Sequence, residues 1–328
     1  MPLPHHLSSR YLAAVALATL VQPSLADAPF PVHPIKLIVP FAPGGATDTL
    51  GRILGAALSE KLGQAVVVEN KPGASTLLAV NQLIRAPADG YTLMLGAGTT
   101  TLTLNPALRQ NLPYDPIKSF TPLGQIADLA LVLVVRADFP GETLADLIKL
   151  AKAEPGGLSY ATFGAGSSVH FAGEMLKSAA GIQMVHVPYN GSGPSLNALM
   201  AGQVQLAFDS VVAAAPLIQA GKLKALAVLS DKRLMTLPKV PTVAESGYPG
   251  FKMDTWFALL APHGLPGNVQ TKLEKALSEV VQSPEVARKL RELHLNARFG
   301  DGASVIGRVE RELPHMRALT RRANIQGE

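Results

Sequence analysis

The alternation of short apolar runs with longer amphipathic stretches limits the folds open to this chain. Near its start, the strand-like runs IKLIVPF, AVVVEN and YTLMLG are separated by the helical patterns TDTLGRILGAALSEKLG and LLAVNQLIRA. Short β-branched runs that alternate with helical patterns are typical of βαβ units. The order therefore predicts an α/β fold in which a mainly parallel sheet is flanked by helices.

The same order of elements returns in the second half of the chain. The segment FAPGGATDTLGRIL aligns without a gap with FGAGSSVHFAGEML, which superimposes Phe41 on Phe163, Gly44 on Gly166, Gly51 on Gly173, and Leu54 on Leu176. Further along, the alignment pairs Gly63 with Gly181, VVVEN with MVHVP, Gly73 with Gly191, and GYTLMLG with GQVQLAF. Three consecutive units in register predict two similar lobes.

Both copies of the repeat place glycines between a strand and the helix that follows it. Glycine accepts positive φ angles and lets another group approach the backbone closely. The first turn of a helix carries unpaired N–H groups and the positive end of the helix dipole, so it can bind an anion. One such turn alone is more simply interpreted as a tight packing corner. Two of them, facing each other across a cleft, favour an anion-binding site.

The composition narrows the class of partner. The chain has a formal net charge of +5, but no block of basic residues alternates with aromatic ones, so no nucleic-acid partner is expected. The absence of cysteine excludes disulfides, thiolate metal sites and cysteine nucleophiles. His170 has no second histidine at metal-ligand spacing, and neither a metal site nor a cofactor is predicted.

The N-terminus has the features of an export signal. Arg10 is followed by the apolar run YLAAVALATLV and then by ADA, with small residues at Ala26 and Ala28. The apolar run is well short of the roughly 20 residues that a spanning helix needs. We therefore predict a signal peptide over residues 1–28 and a mature chain that is soluble and outside the cytoplasm. An uncleaved N-terminal anchor is the alternative.

Three enzymatic or nucleotide-binding patterns fit less well. Neither APGGAT nor GAGSSV has the G-x-G-x-x-G spacing of a dinucleotide-binding turn, and no Gly-Lys-Ser/Thr follows either turn as in a P-loop. A hydrolase would rest on Ser167, Ser168 and His170 at a helix start, but the G-x-S-x-G elbow is absent. The two serines are better interpreted as helix caps that also bind a ligand.

Seven segments of the chain, taken together and in this order, resemble the Bug-type periplasmic receptors of tripartite tricarboxylate transporters. They are PFAPGGATDTLGR, LGQAVVVENKPGAS, ADGYTLMLG, LPYDPIKSFTPL, VPYNGSGPSLNALMAGQVQLAFDS, GKLKALAV and LPKVPTVAESGYPGF. The resemblance runs from about Pro34 into the C-terminal helices. It implies a two-lobed, Venus-flytrap binding protein that closes on a small organic carboxylate and delivers it to the membrane components of a tripartite transporter.

The resemblance also implies a set of ligand-binding residues. Two carboxylate-binding loops would follow the first strand of each lobe, and further positions near the ligand would follow the third strand of lobe 1 and lie in lobe 2. Carried over position by position, the set is Phe41, Gly44, Gly45, Ala46, Thr47, Asp48, Thr99, Thr100, Gly164, Gly166, Ser167, Ser168, His170, Tyr189 and Asp209. The chain departs from the family at Ser75 and Thr76, where glycines are usual, and at Ala88, where proline is common.

Asp209 ends the run QVQLAF, which we predict to be a strand. An uncovered carboxylate there would repel a second ligand carboxylate and favour an amine or a hydroxyl. The alternative is that Asp209 caps the helical pattern SVVAAAPLIQAG.

The repeat and two long apolar runs suggest the lobe limits. LALVLVVRA would carry the chain to lobe 2 and MDTWFALLAP would bring it back, which gives 29–130 plus 252–328 for lobe 1 and 131–251 for lobe 2. The tail from VQTKLEKALSEVVQ onward would form helices packed on lobe 1. We predict a monomeric, non-enzymatic solute receptor; the alternative is a periplasmic hydrolase or transferase acting on a small carboxylate or ester.

Overall fold

The computed structural model describes residues 30–322 and Ile325, so the predicted signal peptide lies outside the described residues. The strands are β1 (Ile35–Val39), β2 (Val66–Asn70), β3 (Thr92–Ala97), β4 (Phe120–Arg136), β5 (Ser159–Thr162), β6 (Val185–Pro188), β7 (Leu206–Ser210), β8 (Leu223–Val228), β9 (Asp254–Pro262) and β10 (Leu295–Gly300).

The α-helices are α1 (Ala46–Leu62), α2 (Leu77–Ile84), α3 (Asn105–Leu108), α4 (Leu144–Ala153), α5 (Ser168–Ala180), α6 (Ser192–Met200), α7 (Val211–Gln219), α8 (Gly267–Gln282), α9 (Pro284–Glu292) and α10 (Gly302–Arg322). A 3₁₀ turn, Ala74–Thr76, precedes α2, and a π-helical segment, Thr99–Leu104, precedes α3. Within the described residues, no helix combines the length and the apolar character needed to cross a bilayer.

The internal repeat predicted from the sequence is confirmed by the strand pairing. β1 lies between β2 and β3, and β5 lies between β6 and β7, all in parallel. The aligned glycines share their backbone conformations: φ is +91° at Gly44 and +86° at Gly166, and Gly63 and Gly181 both end their helices in the left-handed conformation. The two βαβαβ units are therefore equivalent turn by turn.

The complete sheet is mixed rather than mainly parallel. Its order is β2-β1-β3-β9-β4-β7-β5-β6, with β8 and β10 also paired to β4. Parallel pairing is confined to the two repeats; β4, β8, β9 and β10 add antiparallel neighbours, because β4 and β9 connect the repeats directly as strands.

β4 divides the sheet into two halves. Its residues Phe120–Ala130 pair with β9, and its residues Leu131–Arg136 pair with β7 and β8. We call β1, β2, β3, β9 and their helices the first half, and β5, β6, β7, β8 and their helices the second half. The chain changes halves between Ala130 and Leu131.

The C-terminal elements differ from the prediction in two respects. The strand β10 interrupts the expected helices and pairs with β4. The last helix, α10, also extends beyond the first half: Val305 and Val309 belong to the core formed with Trp256 and Ile38, whereas Leu319 packs against the core of the second half. Helix α10 therefore contacts both halves.

Candidate functional site

The glycine turn after β1 meets the loop before α6 where the halves of the sheet face each other. The N–H of Ala42 donates to the carbonyl of Asn190 at 3.0 Å. A Cβ placed on Gly45 would lie 3.1 Å from Cβ of Ser192, so the two backbones are in close contact there. The site is therefore a closed junction between the loop after β1 and the loop before α6.

The first turn is held by the side chain of Asp48. Its Oδ2 accepts a hydrogen bond from the N–H of Gly44 at 3.1 Å, while Asn70 and Arg52 donate to the same carboxylate. Burial raises the pKa of Asp48, but the hydrogen bonds from Arg52, Asn70 and Gly44 outweigh it and the net pKa is lowered. Gly44 is exposed, and its N–H is already occupied by this internal contact.

The second turn repeats this arrangement with a different side chain. The N–H of Gly166 donates to Nδ1 of His170 at 3.2 Å, which is the position equivalent to Asp48. Burial lowers the pKa of His170 to about 4, so the ring is neutral near pH 7 and can accept this hydrogen bond. Asp48 and His170 thus have the same structural role, that of holding a glycine turn in shape.

The two helix N-termini differ in their capping. Helix α5 is capped by Ser167, whose Oγ accepts from the N–H of His170, and the N–H of Ser168 donates to Oγ1 of Thr100 in the first half. Helix α1 begins after Gly45, which supplies no side-chain cap. Since the first-turn N–H groups of a helix lack partners within the helix, α1 keeps donors that an anion could use.

A small inner cavity lies at the start of α1. The volume open to the centres of water molecules is about 30 Å³, enough for a small group such as a carboxylate or two waters. Of the described residues that line it, none is charged. The lining consists of Phe41, Gly45, Ala46, Thr47, Ala97, Thr100, Leu129, Leu131, Phe163, Ser168, Ser192, Ser210, Thr255 and Phe257.

One hydroxyl in this lining has no hydrogen-bond partner. Oγ1 of Thr255, at the start of β9, is buried and unpaired among the described residues. A buried polar group without a partner is costly, and a native protein usually satisfies it with water or a ligand. The inner cavity therefore offers a hydroxyl and the uncapped first turn of α1 to the same small space.

Asp209 lies behind the inner cavity. Its side chain is fully buried, and Oδ1 accepts hydrogen bonds from the hydroxyl of Ser192 and from the N–H of Ser210. The expectation of an uncovered carboxylate is therefore wrong, because α6 brings Ser192 over it. The capping alternative is also wrong, since Ser210 caps α7. Burial raises the pKa of Asp209 to about 7, and hydrogen bonds from Ser192 and Ser210 oppose this effect.

A second, larger space adjoins the first. This outer chamber has about 250 Å³ open to water centres and is lined by Phe41, Gly73, Ala74, Ser75, Thr76, Arg109, Phe163, Gly164, Ala165, Pro188, Tyr189 and Asn190. The rings of Phe41 and Phe163 line both spaces, with centroids 5.8 Å apart and an interplanar angle of 64°. These repeat-equivalent phenylalanines therefore belong to the walls of both spaces, at the place where the spaces adjoin.

The predicted site residues separate into two groups. Eight of them line the inner cavity or the outer chamber: Phe41, Gly45, Ala46, Thr47, Thr100, Gly164, Ser168 and Tyr189. Seven line neither space: Gly44, Asp48, Thr99, Gly166, Ser167, His170 and Asp209. Members of the second group support the turns, as Asp48 and His170 do, or lie behind the lining.

Sequence reasoning missed several lining residues. Phe163 and Ser192 could have been found, because Phe163 aligns with Phe41 and Ser192 follows the repeat-aligned Gly191. Arg109, Thr255 and Phe257 are brought to the site by distant segments and have no local signal.

The described residues give little support to metal or Ser–His chemistry. Among them, no group of three histidine or acidic side chains could hold a metal ion. Oγ of Ser167 contacts the backbone of His170 and the carbonyl of Gly164, so it caps the helix instead of pairing with the imidazole.

Known proteins with a similar sequence or structure include a periplasmic binding protein. A UPF0065 protein of Bordetella pertussis is 40% identical over 275 residues, which is 84% of each chain. The solved structure of the periplasmic binding protein BugD is 34% identical, with a TM-score of 0.87, and the match covers 91% of this chain and 100% of BugD.

Two further solved structures contain carboxylates. Rpa4515 of R. palustris, solved with adipate, is 35% identical with a TM-score of 0.86, and the match covers 90% of this chain and 99% of that one. MatC of Rhodopseudomonas palustris, solved with malate, is 32% identical with a TM-score of 0.83, and the match covers 88% of this chain and 99% of MatC.

The family model described as "Tripartite tricarboxylate transporter family receptor" matches residues 50–324. This match covers most of the chain, and the relatives agree with it in fold and in length. The family and its solved members are solute-binding receptors rather than enzymes, which supports the receptor interpretation and not the hydrolase alternative. The chain belongs to the tripartite tricarboxylate transporter receptor family, as a Bug-type periplasmic solute-binding protein.

Proposed function

We propose that this receptor captures one carboxylate group of a small organic acid in the inner cavity and delivers the acid to the membrane components of a tripartite transporter. The observation that carries the proposal is the uncapped first turn of α1 beside the unpaired hydroxyl of Thr255, both at a small cavity without a charged lining residue. A carboxylate would supply acceptors for both. Related receptors solved with adipate and malate agree with this ligand class.

Helix α1 is the principal anion-binding element in this proposal. The N-terminus of α5 contributes less, because Ser167 and Thr100 already occupy its first-turn donors. A helix N-terminus contributes about 0.3–2 kcal/mol to anion binding. Micromolar affinity requires about 8 kcal/mol, so hydroxyl donors from the lining and exclusion of water supply the rest.

Closure of two lobes would couple binding to a change of shape. The lining comes from both halves of the sheet, with Thr47 on one side and Ser192 on the other, so it is complete only when the halves are together. A ligand that contacts both halves selects the closed state.

We assign residues 29–130 plus 252–328 to lobe 1 and residues 131–251 to lobe 2. We also propose export by a cleaved signal peptide at residues 1–28 and a monomeric state.

The test is binding to the mature protein after unfolding and refolding to remove any copurified acid. Thermal shift and calorimetry with acetate, butyrate, malate, adipate and citrate should identify at least one acid that binds at a one-to-one ratio and is recovered unchanged.

Thr255→Val removes the unpaired hydroxyl with little change of shape and should weaken that binding by roughly tenfold. The matched control is Thr271→Val on the exposed surface of α8, which should bind like the parent. Failure of every acid to bind, or turnover of a bound ester by the purified protein, would refute the proposal.

A further inference from the structure

The outer chamber adjoins the inner cavity at the Phe41–Phe163 pair. The inner cavity has room for little more than one small polar group, whereas the outer chamber has about eight times its volume. The outer chamber is therefore the adjoining space with room for the remaining atoms of an organic acid whose carboxylate occupies the inner cavity. The two phenyl rings where the spaces adjoin suit an apolar methylene segment.

The charge of the outer chamber is set by one side chain. Of the described residues that line it, Arg109 alone is charged, and the lining includes no carboxylate. The other side chains with polar groups, such as Tyr189 and Asn190, are neutral. An arginine can form paired, charge-assisted hydrogen bonds with a carboxylate, which are stronger than neutral ones.

The backbone of Arg109 is connected to the 74–76 segment that lines the chamber. It directly follows α3, and its N–H donates to the carbonyl of Asn105 at 3.0 Å. The buried side chain of Asn105 in turn donates to the carbonyl of Ser75 at 2.8 Å. The Cα of Arg109, from which its side chain starts, is thus tied through Asn105 to the 74–76 segment of the chamber wall.

We infer that Arg109 binds the second carboxylate of a linear dicarboxylate, and so determines the preference of this receptor for dicarboxylates over monocarboxylates. The inference rests on the proposed function, because it assumes that the first carboxylate occupies the inner cavity. The ligand then spans both spaces: one carboxylate meets α1 and Thr255, the methylene chain passes the Phe41–Phe163 pair, and the second carboxylate meets Arg109.

The experiment compares acids of equal chain length that differ only in the second carboxylate. Calorimetry at fixed ionic strength would measure succinate against butyrate, glutarate against valerate, and adipate against hexanoate. Wild-type protein should prefer the dicarboxylate in at least one pair. Arg109→Gln should weaken that dicarboxylate roughly 10- to 100-fold and leave the monocarboxylate within about twofold. Arg109→Lys keeps the charge without the planar fork and should retain part of the preference.

Two controls separate this inference from a general effect of charge or folding. Arg85→Gln removes the same charge from an exposed position that lines neither space and should leave the preference unchanged. Circular dichroism and thermal melting should show that each variant is folded. If Arg109→Gln binds both classes with the wild-type ratio, the assignment of Arg109 is overturned while the receptor function stands. If wild-type protein binds none of the six acids, or prefers the monocarboxylate in every pair, the inference is overturned, whereas the receptor function is overturned only if acetate, malate and citrate also fail to bind.

Discussion

The adjacent glycines Gly44 and Gly45 have different physical roles, and alanine at each position should separate them. Gly44 has φ +91°, but a Cβ there would meet no atom within 4 Å. Gly45 has φ −94° and ψ 176°, which any residue adopts, but its Cβ would lie 3.1 Å from Cβ of Ser192. The first glycine is required by the backbone, and the second by the approach of the other half of the sheet.

Gly44→Ala should destabilise the protein with little direct effect on binding. A left-handed conformation costs an L-residue about 1–2 kcal/mol, which corresponds to a fall in melting temperature of roughly 2–4 °C per kcal/mol for a chain of this size class. Because Gly44 is exposed and lines neither space, the dissociation constant of the folded protein should stay within about threefold of the parental value.

Gly45→Ala should weaken binding without destabilising the ligand-free protein. The ligand-free melting temperature should be unchanged or slightly higher, because alanine reduces the entropy of the unfolded chain by about 0.4–1 kcal/mol where its backbone angles are allowed. Carbon atoms in contact prefer about 3.5–4.0 Å, so the new methyl group keeps the halves apart by several tenths of an ångström. Overpacking of this kind costs about 1–3 kcal/mol, which weakens binding by roughly 5- to 150-fold.

The assay is calorimetry and thermal melting of both variants, with the acid that binds the parent most tightly. The double variant Gly45→Ala/Ser192→Gly removes the Cβ that causes the overlap and should regain part of the lost affinity relative to Ser192→Gly alone. If Gly45→Ala binds with parental affinity, the contact between Gly45 and Ser192 is not a condition of the bound state, and the reasoning fails.

Three further predictions concern the polar groups around the site. Carboxylate binding should strengthen as the pH falls toward about 7, with the dissociation constant changing by up to about tenfold per pH unit above pH 7, because an anion in the inner cavity favours the protonated form of buried Asp209. Asp209→Asn should flatten this pH profile, and an identical profile in that variant would exclude Asp209 as the cause. The same raised pKa means that the free energy of unfolding should fall as the pH rises from about 4 to 7, because in this range the unfolded chain has released a proton that the native state keeps. Urea titrations should show a smaller dependence of the free energy of unfolding on pH for Asp209→Asn. Ser75 has φ +47°, and its hydroxyl donates to the carbonyl of Ala165 in the other half, so Ser75→Ala should weaken ligand binding several-fold without relieving backbone strain. Ser75→Gly should weaken binding similarly but raise the ligand-free stability by about 1 kcal/mol relative to Ser75→Ala, and equal melting temperatures for these two variants would contradict the strain argument.

The features that were predictable from the sequence are those fixed by neighbouring residues. The β-α-β order follows from the local spacing of apolar residues, and the helix ends at Gly63 and Gly181 follow from the left-handed conformation that glycine accepts. The turns before α1 and α5 were recognised for the same reason. Their hydrogen bonds to Asp48 and His170 also lie within four residues, but the sequence alone did not show that these contacts occupy the glycine N–H groups.

The features that were not predictable depend on distant contacts. Asp209 stands at the end of a strand, but its burial is caused by Ser192 of α6, which the sequence does not place over it. The strand β10 has mixed polarity and is stabilised by pairing with β4. The threonine-rich run Thr99–Leu104 favours a strand by propensity, yet it forms a π-helical segment against α10 and α3, because tertiary packing overrides a local preference.

The contact of α10 with both halves of the sheet adds a mechanical constraint to any opening motion. If β4 and β9 were the only connections, the two halves could rotate about these strands. A third connection away from that axis restricts the rotation. Pro314 lies inside α10, between Val309 on the first core and Leu319 on the second. Proline removes a backbone hydrogen bond and makes a helix easier to bend. The amplitude of opening should therefore depend on how far α10 flexes at Pro314. A residue that lines neither the inner cavity nor the outer chamber would then influence how fast the acid enters and leaves.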